Sequence, residues 1–181
     1  MKNMARVIAA GVVFIVAGCV TPAPTTDTTV PEIIVIVAGG RAHDNMFRSF
    51  DGQLDLTDQC IKVPDMPTQI IMIAGDAGGI QVAHIKVLFG TIIPESVTVS
   101  PLTPETTYTL NSESGADSLH ITLTPPAPGM VRTGVTAVFK VNGDLPIAIT
   151  ADASDYARNT ASLPQFDLRS LDDVVTCRGN Q

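Results

Sequence analysis

From Glu32 onward, apolar side chains recur at every second position, and that period is what most narrows the folds open to this chain. Ala83, Ile85, Val87 and Phe89 share one face of a stretch whose other face carries His84, Lys86 and Leu88. Leu119, Ile121 and Leu123 alternate with His120, Thr122 and Thr124, and Val135, Ala137, Phe139 and Val141 with Thr136, Val138 and Lys140. A period of two lines one face of a strand, whereas a helix requires 3.6. Ile33–Val37 is an unbroken apolar run and Gln69–Ala74 is apolar after its first residue, as expected of strands covered on both faces. Ile147, Ile149 and Ala151 continue the alternation, and shorter strands are expected at Val97–Ser100 and Thr106–Leu110. Branched aliphatics and Thr dominate, residues that suit a pleated, half-buried surface.

Turn chemistry separates these runs. Asn142-Gly143-Asp144 stands between two of the clearest strands, and Asn-Gly predicts a tight hairpin because both residues tolerate positive φ. Asp76-Ala77-Gly78-Gly79 and Pro125-Pro126-Ala127-Pro128-Gly129 mark further reversals. Many short strands at such spacing predict an all-β chain folded as a β-sandwich.

The N-terminus carries an address. Lys2 and Arg6 precede an apolar or small run from Val7 to Gly18, and no acidic residue appears before Asp27. That run is shorter than the roughly 20 residues needed to cross a hydrocarbon core. A basic start, a short apolar centre and small residues at the end are the parts of an export signal. Val16-Ala17-Gly18-Cys19 resembles the lipobox of bacterial lipoproteins. The resemblance implies cleavage between Gly18 and Cys19, a diacylglyceryl group on the Cys19 thiol and an acylated amine. Two or three acyl chains, at about 0.8 kcal/mol per buried methylene, make such an anchor permanent. Val20 follows the cysteine where an Asp would signal retention, which in enteric-type bacteria implies delivery to the outer membrane. Residues 21–31, rich in Thr with three prolines, form an extended linker reaching roughly 30 Å at about 3.1 Å per residue.

Composition excludes further classes. The chain carries a net charge of −7, and loss of residues 1–18 removes two basic residues and takes it to −9. Such a surface repels phosphate backbones, so no nucleic-acid partner is expected. The absence of Trp argues against a sugar-stacking lectin face. Beyond the anchor, Cys60 and Cys177 make an even pair, most simply a disulfide in an oxidising envelope; a metal pair and two free thiols are the alternatives.

Three segments resemble the bacterial immunoglobulin-like repeats of surface and secreted proteins. They are Asp27-Thr28-Thr29-Val30-Pro31-Glu32-Ile33-Ile34-Val35-Ile36, then Gly75-Asp76-Ala77-Gly78-Gly79-Ile80, and Ile149-Thr150-Ala151-Asp152-Ala153-Ser154-Asp155-Tyr156-Ala157-Arg158-Asn159-Thr160-Ala161. The resemblance implies an immunoglobulin-like sandwich over 32–168, with Arg158 standing where those repeats place a glycine. An insertion at about 38–66 and a tail at 169–181 fall outside it, and a Cys60–Cys177 disulfide would pin the second to the first.

No spacing for a catalytic Ser, a zinc protease, a phosphate loop or a Cys-x-x-Cys pair occurs. His84 and His120 lie within alternating strands as surface or core-edge imidazoles, and His43 lies in a polar loop. Asp51, Asp55 and Asp58 offer oxygens of the kind calcium prefers, but their spacing fits an ordinary strand edge better. Asp152, Asp155 and Asn159 form a second grouping, expected to act as turn caps. The expectation is therefore a non-enzymatic, lipid-anchored binding or structural module, with no catalytic residue, assigned metal site or cofactor, and with a protein partner in the envelope. An accessory subunit of an envelope or secretion assembly is the alternative, and a metal-dependent hydrolase a more remote one.

Overall fold

The computed structural model describes residues 27–39, 46–48, 60–100, 107–124, 131–175 and 177 of the 181-residue chain. Among the described residues there is no helix. The strands are β1 (Glu32–Val37), β2 (Met46–Arg48), β3 (Cys60–Val63), β4 (Thr68–Gly75), β5 (Ile80–Ser100), β6 (Thr107–Glu113), β7 (Ala116–Thr122), β8 (Gly134–Asp155) and β9 (Thr160–Ser170). The chain is all-β, as its periodicity predicts.

β5 and β8 are 21 and 22 residues long, and each serves two layers. The first arm of β8, from Gly134 to Val141, pairs with β4 and with the second arm of β5, from Ile92 to Ser100. The second arm of β8, from Ile147 to Ser154, pairs with β9, while Ala148–Asp155 pairs with the first arm of β5. One hydrogen-bonded sheet therefore folds over on itself. Its first layer runs β2-β1-β4-β8-β5 and its second β3-β9-β8-β5-β7-β6. All pairings are antiparallel except β3 with β9. Strands that switch layers at a corner are a recognised way of closing a sandwich.

The corner corrects two expectations. Asn142-Gly143 is no hairpin: β8 continues through it, because β5 offers a partner of matching length on both sides of the bend. Glycine is still required there, since a Cβ at Gly143 would come within 2.8 Å of the Phe89 carbonyl oxygen and 2.9 Å of the Gly90 Cα. The alternation through Ala83, Ile85 and Val87 also stops short of Phe89. A register shift between Leu88 and Gly90 places Phe89 at φ 64° and leaves it 70% exposed. A shift of one residue turns a side chain to the opposite face. Beyond the bend, the amide of Ile92 donates to Asp117 Oδ2 at 2.8 Å, and that carboxylate is buried. Asp117 thus satisfies a β5 amide just past the point where β5 leaves its ladder with β7.

Elsewhere the alternating residues do what their period requires. Ile33, Val35 and Val37, Ile70 and Met72, and Phe139 and Val141 face inward from the first layer. Ile85 and Val87, Leu119 and Ile121, Ile147 and Ile149, and Phe166 and Leu168 meet them from the second. Each fully buried side chain of this size contributes about 1.5–3 kcal/mol.

Residues 38–66 contribute β2 to one layer and β3 to the other. Cys60 opens β3 and is buried beside β9, and it is disulfide-bonded to Cys177 with a Cα–Cα distance of 4.9 Å. Around it, Lys62 Nζ donates to the Asp173 carbonyl oxygen at 2.6 Å, and Arg169 bridges Asp167 and Asp173 at 2.9 and 3.0 Å. The sequence separation of 117 residues makes this cross-link entropically large. Replacing both cysteines by Ala is expected to lower the unfolding free energy by about 3–5 kcal/mol in urea or guanidinium titrations.

Candidate metal centre

Antiparallel register brings three distant aspartates to one end of the sandwich. β1 begins opposite the last residue of β4, Glu32 facing Gly75, so the residues before β1 lie beside the β4–β5 turn. β5 begins opposite the end of β8, Ile80 facing Asp155. Asp27, Asp76 and Asp155 consequently meet, with one carboxylate oxygen of each within 4.8 Å of the others.

Each carboxylate is held by local turn chemistry. Asp27 Oδ1 accepts from the Thr29 amide at 2.9 Å and from the Thr29 hydroxyl at 2.6 Å. Its Oδ2 is shut off from solvent with no hydrogen-bond donor. A Cβ on Gly78 would lie 1.5 Å from that same oxygen, so the Asp27 carboxylate occupies space that only glycine leaves open. Asp76 Oδ1 accepts from the Gly78 amide at 2.5 Å within the β4–β5 turn. Asp155 is fully buried, and its two oxygens accept from the amide and the side-chain Nδ2 of Asn159, each at 2.7 Å. The same Asn159 Nδ2 also donates to the Asp27 carbonyl oxygen at 3.1 Å, tying the segment before β1 to the β8–β9 turn. In that turn Arg158 takes the left-handed conformation expected of glycine, with φ 71°, at a cost of about 1–2 kcal/mol.

Burial and the hydrogen bonds of the turns set the electrostatics, and the crowding of like charges adds to them. Burial pushes the Asp76 carboxyl above its ordinary range; the Gly78 N–H opposes this, and the nearby charges of Asp27 and Asp155 add to it. Asp27 shifts the other way, because the Thr29 side chain and backbone bind its ionised form. Three convergent carboxylates suit a hard cation that takes oxygen ligands. Oxygens sharing a calcium ion at 2.3–2.6 Å lie at most about 5 Å apart, which this cluster satisfies.

The sequence-derived candidates divide. Asp155 and Asn159 cap the β8–β9 turn as expected; Asp155 belongs to the cluster, and Asn159 holds it by donating to both its oxygens. Asp152 does not join them: it lies on the outer face of β8, where its Oδ2 accepts from His84 Nδ1 at 2.8 Å. Gly18, Cys19, His43, Asp51, Asp55 and Asp58 lie outside the described residues. Asp27 and Asp76 were not singled out in the sequence as ligands, although each sits in a segment resembling the immunoglobulin-like repeats.

No protein-family model matches the chain, and no curated protein does. Among solved structures it is similar to a non-cellulosomal cohesin from Archaeoglobus fulgidus, at 12% identity and a TM-score of 0.33 over 63% of this chain and 87% of that one. A cohesin module from a Clostridium perfringens family 33 glycoside hydrolase gives 12% identity and 0.36 over 79% and 99%. The pilus backbone protein RrgB of Streptococcus pneumoniae gives 15% and 0.36 over 70% and 32%.

Titration distinguishes the two aspartates. With a raised folded pKa, Asp76 contributes stability below the ordinary carboxylate range, and that contribution is lost as pH rises through its folded pKa. Asp27, held low, contributes above that range and loses its contribution as pH falls. The ionised form of Asp76 is thus a liability that a cation would relieve. Asp76→Asn is expected to raise the melting temperature of the chelator-treated protein and to abolish the rise that millimolar calcium gives the unsubstituted chain. Calorimetry with and without calcium checks both effects.

Proposed function

We propose that this chain is a lipid-anchored, non-catalytic binding or structural module of the bacterial cell envelope, with a calcium-type cation fastening its tether to the sandwich. The single observation behind the cation is the meeting of Asp27, at the foot of the linker, with Asp76 and Asp155 from two turns of the folded domain. A cation there would stiffen the junction between the Thr/Pro linker and β1. It would thereby set the angle at which the domain stands from the membrane.

The anchor rests on the Val16-Ala17-Gly18-Cys19 motif and the basic, apolar segment before it. Cys19→Ala is expected to leave an uncleaved precursor that no longer partitions with membranes, as read by mass spectrometry and detergent fractionation. Normal processing of that variant would remove the lipoprotein assignment without touching the cation site.

A second function, that of an accessory subunit gripping a protein partner by a sheet edge, draws support from β6. This strand ends the second layer, and Tyr108 and Leu110 on it are 48% and 39% exposed. Their cross-strand partners Ile121 and Leu119 are fully buried, so the two residues extend the core-facing side of the sheet past its cover. An edge of this kind can accept an added strand. Affinity purification from solubilised membranes, repeated with Tyr108→Lys and Leu110→Lys, separates the two functions: a partner lost in both variants favours the second.

A further inference from the structure

On the outer face of the second layer, three chemistry-bearing side chains stand in one row across adjacent strands. His84 of β5 faces His120 of β7 on one side and Asp152 of β8 on the other. Their neighbours in sequence, Ala83 and Ile85, Leu119 and Ile121, and Ala151 and Ala153, are all buried, so the three side chains point together away from the core. The imidazole centroids of His84 and His120 are 5.5 Å apart, with the rings tilted by 55°.

We propose that His84 and His120 form a binding site for a zinc-class divalent transition metal, with Asp152 as the positioning residue of His84. The carboxylate can only accept, so the 2.8 Å contact makes Nδ1 the donor, and in the neutral ring the lone pair is then on Nε2. Donation of the second ring N–H to a carboxylate is the usual support of a metal-bound histidine. The spacing of the rings fits as well. A Zn–N bond of about 2.0–2.1 Å puts each ring centroid roughly 3.2 Å from the metal, so two rings at a tetrahedral angle have centroids roughly 5 Å apart. His120 is exposed; a turn of its ring about the side-chain bonds would bring a nitrogen to the metal, and water would complete the coordination. Two imidazoles select borderline transition ions over calcium, which prefers oxygen. The row is therefore chemically distinct from the aspartate cluster, and the proposal does not depend on the tether or its cation.

The test is titration of the untagged mature protein with zinc in saturating calcium, so that the aspartates are occupied by the harder ion. Calorimetry is expected to give one zinc per chain, and imidazole ¹H–¹⁵N spectra are expected to show the His84 and His120 nitrogens moving together. His84→Gln and His120→Gln should each weaken binding at least about tenfold, and Asp152→Asn about 10–100-fold, the range typical of a lost supporting carboxylate. All three positions lie on an outer face, and unchanged melting curves would show that the variants fold. Unchanged zinc affinity in His120→Gln, or zinc binding that leaves both imidazoles unmoved, would overturn the proposal.

Discussion

The ladder between β5 and β8 is the interaction on which the rest of the molecule depends. It runs from Ile80 opposite Asp155 to Ser100 opposite Gly134, interrupted only by register shifts, and it belongs to both layers. Each remaining strand is added to one arm of this bent ribbon: β4, β1 and β2 to the first layer, β7, β6, β9 and β3 to the second. Facing layers that share their central strands cannot slide past one another without breaking that ladder. The cost falls at the bend, where a phenylalanine is forced to positive φ, a glycine must admit a neighbouring backbone, and a buried aspartate satisfies an amide beyond the bulge. Hydrophobic contact across the fold offsets this, because the bend is what brings Phe139 and Ile147 into one core.

Much of this architecture was legible in the sequence because burial enforces period two. The alternations ending at Val87, Ile121 and Val141 needed nothing more than the exclusion of polar groups from a shared interior, whereas Ile33–Val37 and Gln69–Ala74 are strands as expected but are buried at alternate residues only, not on both faces. The identity of the corner was not legible. Asn142-Gly143 carries the same local chemistry whether the chain turns back on itself or passes over the edge of a layer, and the outcome depends on a β5 partner lying about fifty residues earlier. Phe89 was misplaced for a related reason: a bulge is a property of a strand pair, and neither strand alone announces it.

The aspartate cluster and the histidine row illustrate the same limit at the level of sites. Local capping by Asp155 and Asn159 could be read from five consecutive residues, since Asp and Asn side chains reach their own turn. The convergence of Asp27 and Asp76 on that turn follows from the order of strands, which no local spacing encodes. His84 and His120 are thirty-six positions apart in the chain and directly opposed in register. Alternation assigns each to a solvent face, but only the pairing of β5 with β7 makes them neighbours.

The place where the N-terminal segment joins the sandwich also has a mechanical meaning. The backbone leaving Asp27 feeds directly into β1, whose six residues pair one for one with β4. Tension applied along that strand loads all six pairs in shear, so they resist together and do not part in sequence from one end. β4 passes the load through its eight pairs with β8 into the shared ladder. A domain held from this point is gripped by its central ribbon, and a pull strong enough to free it must first unmake the fold.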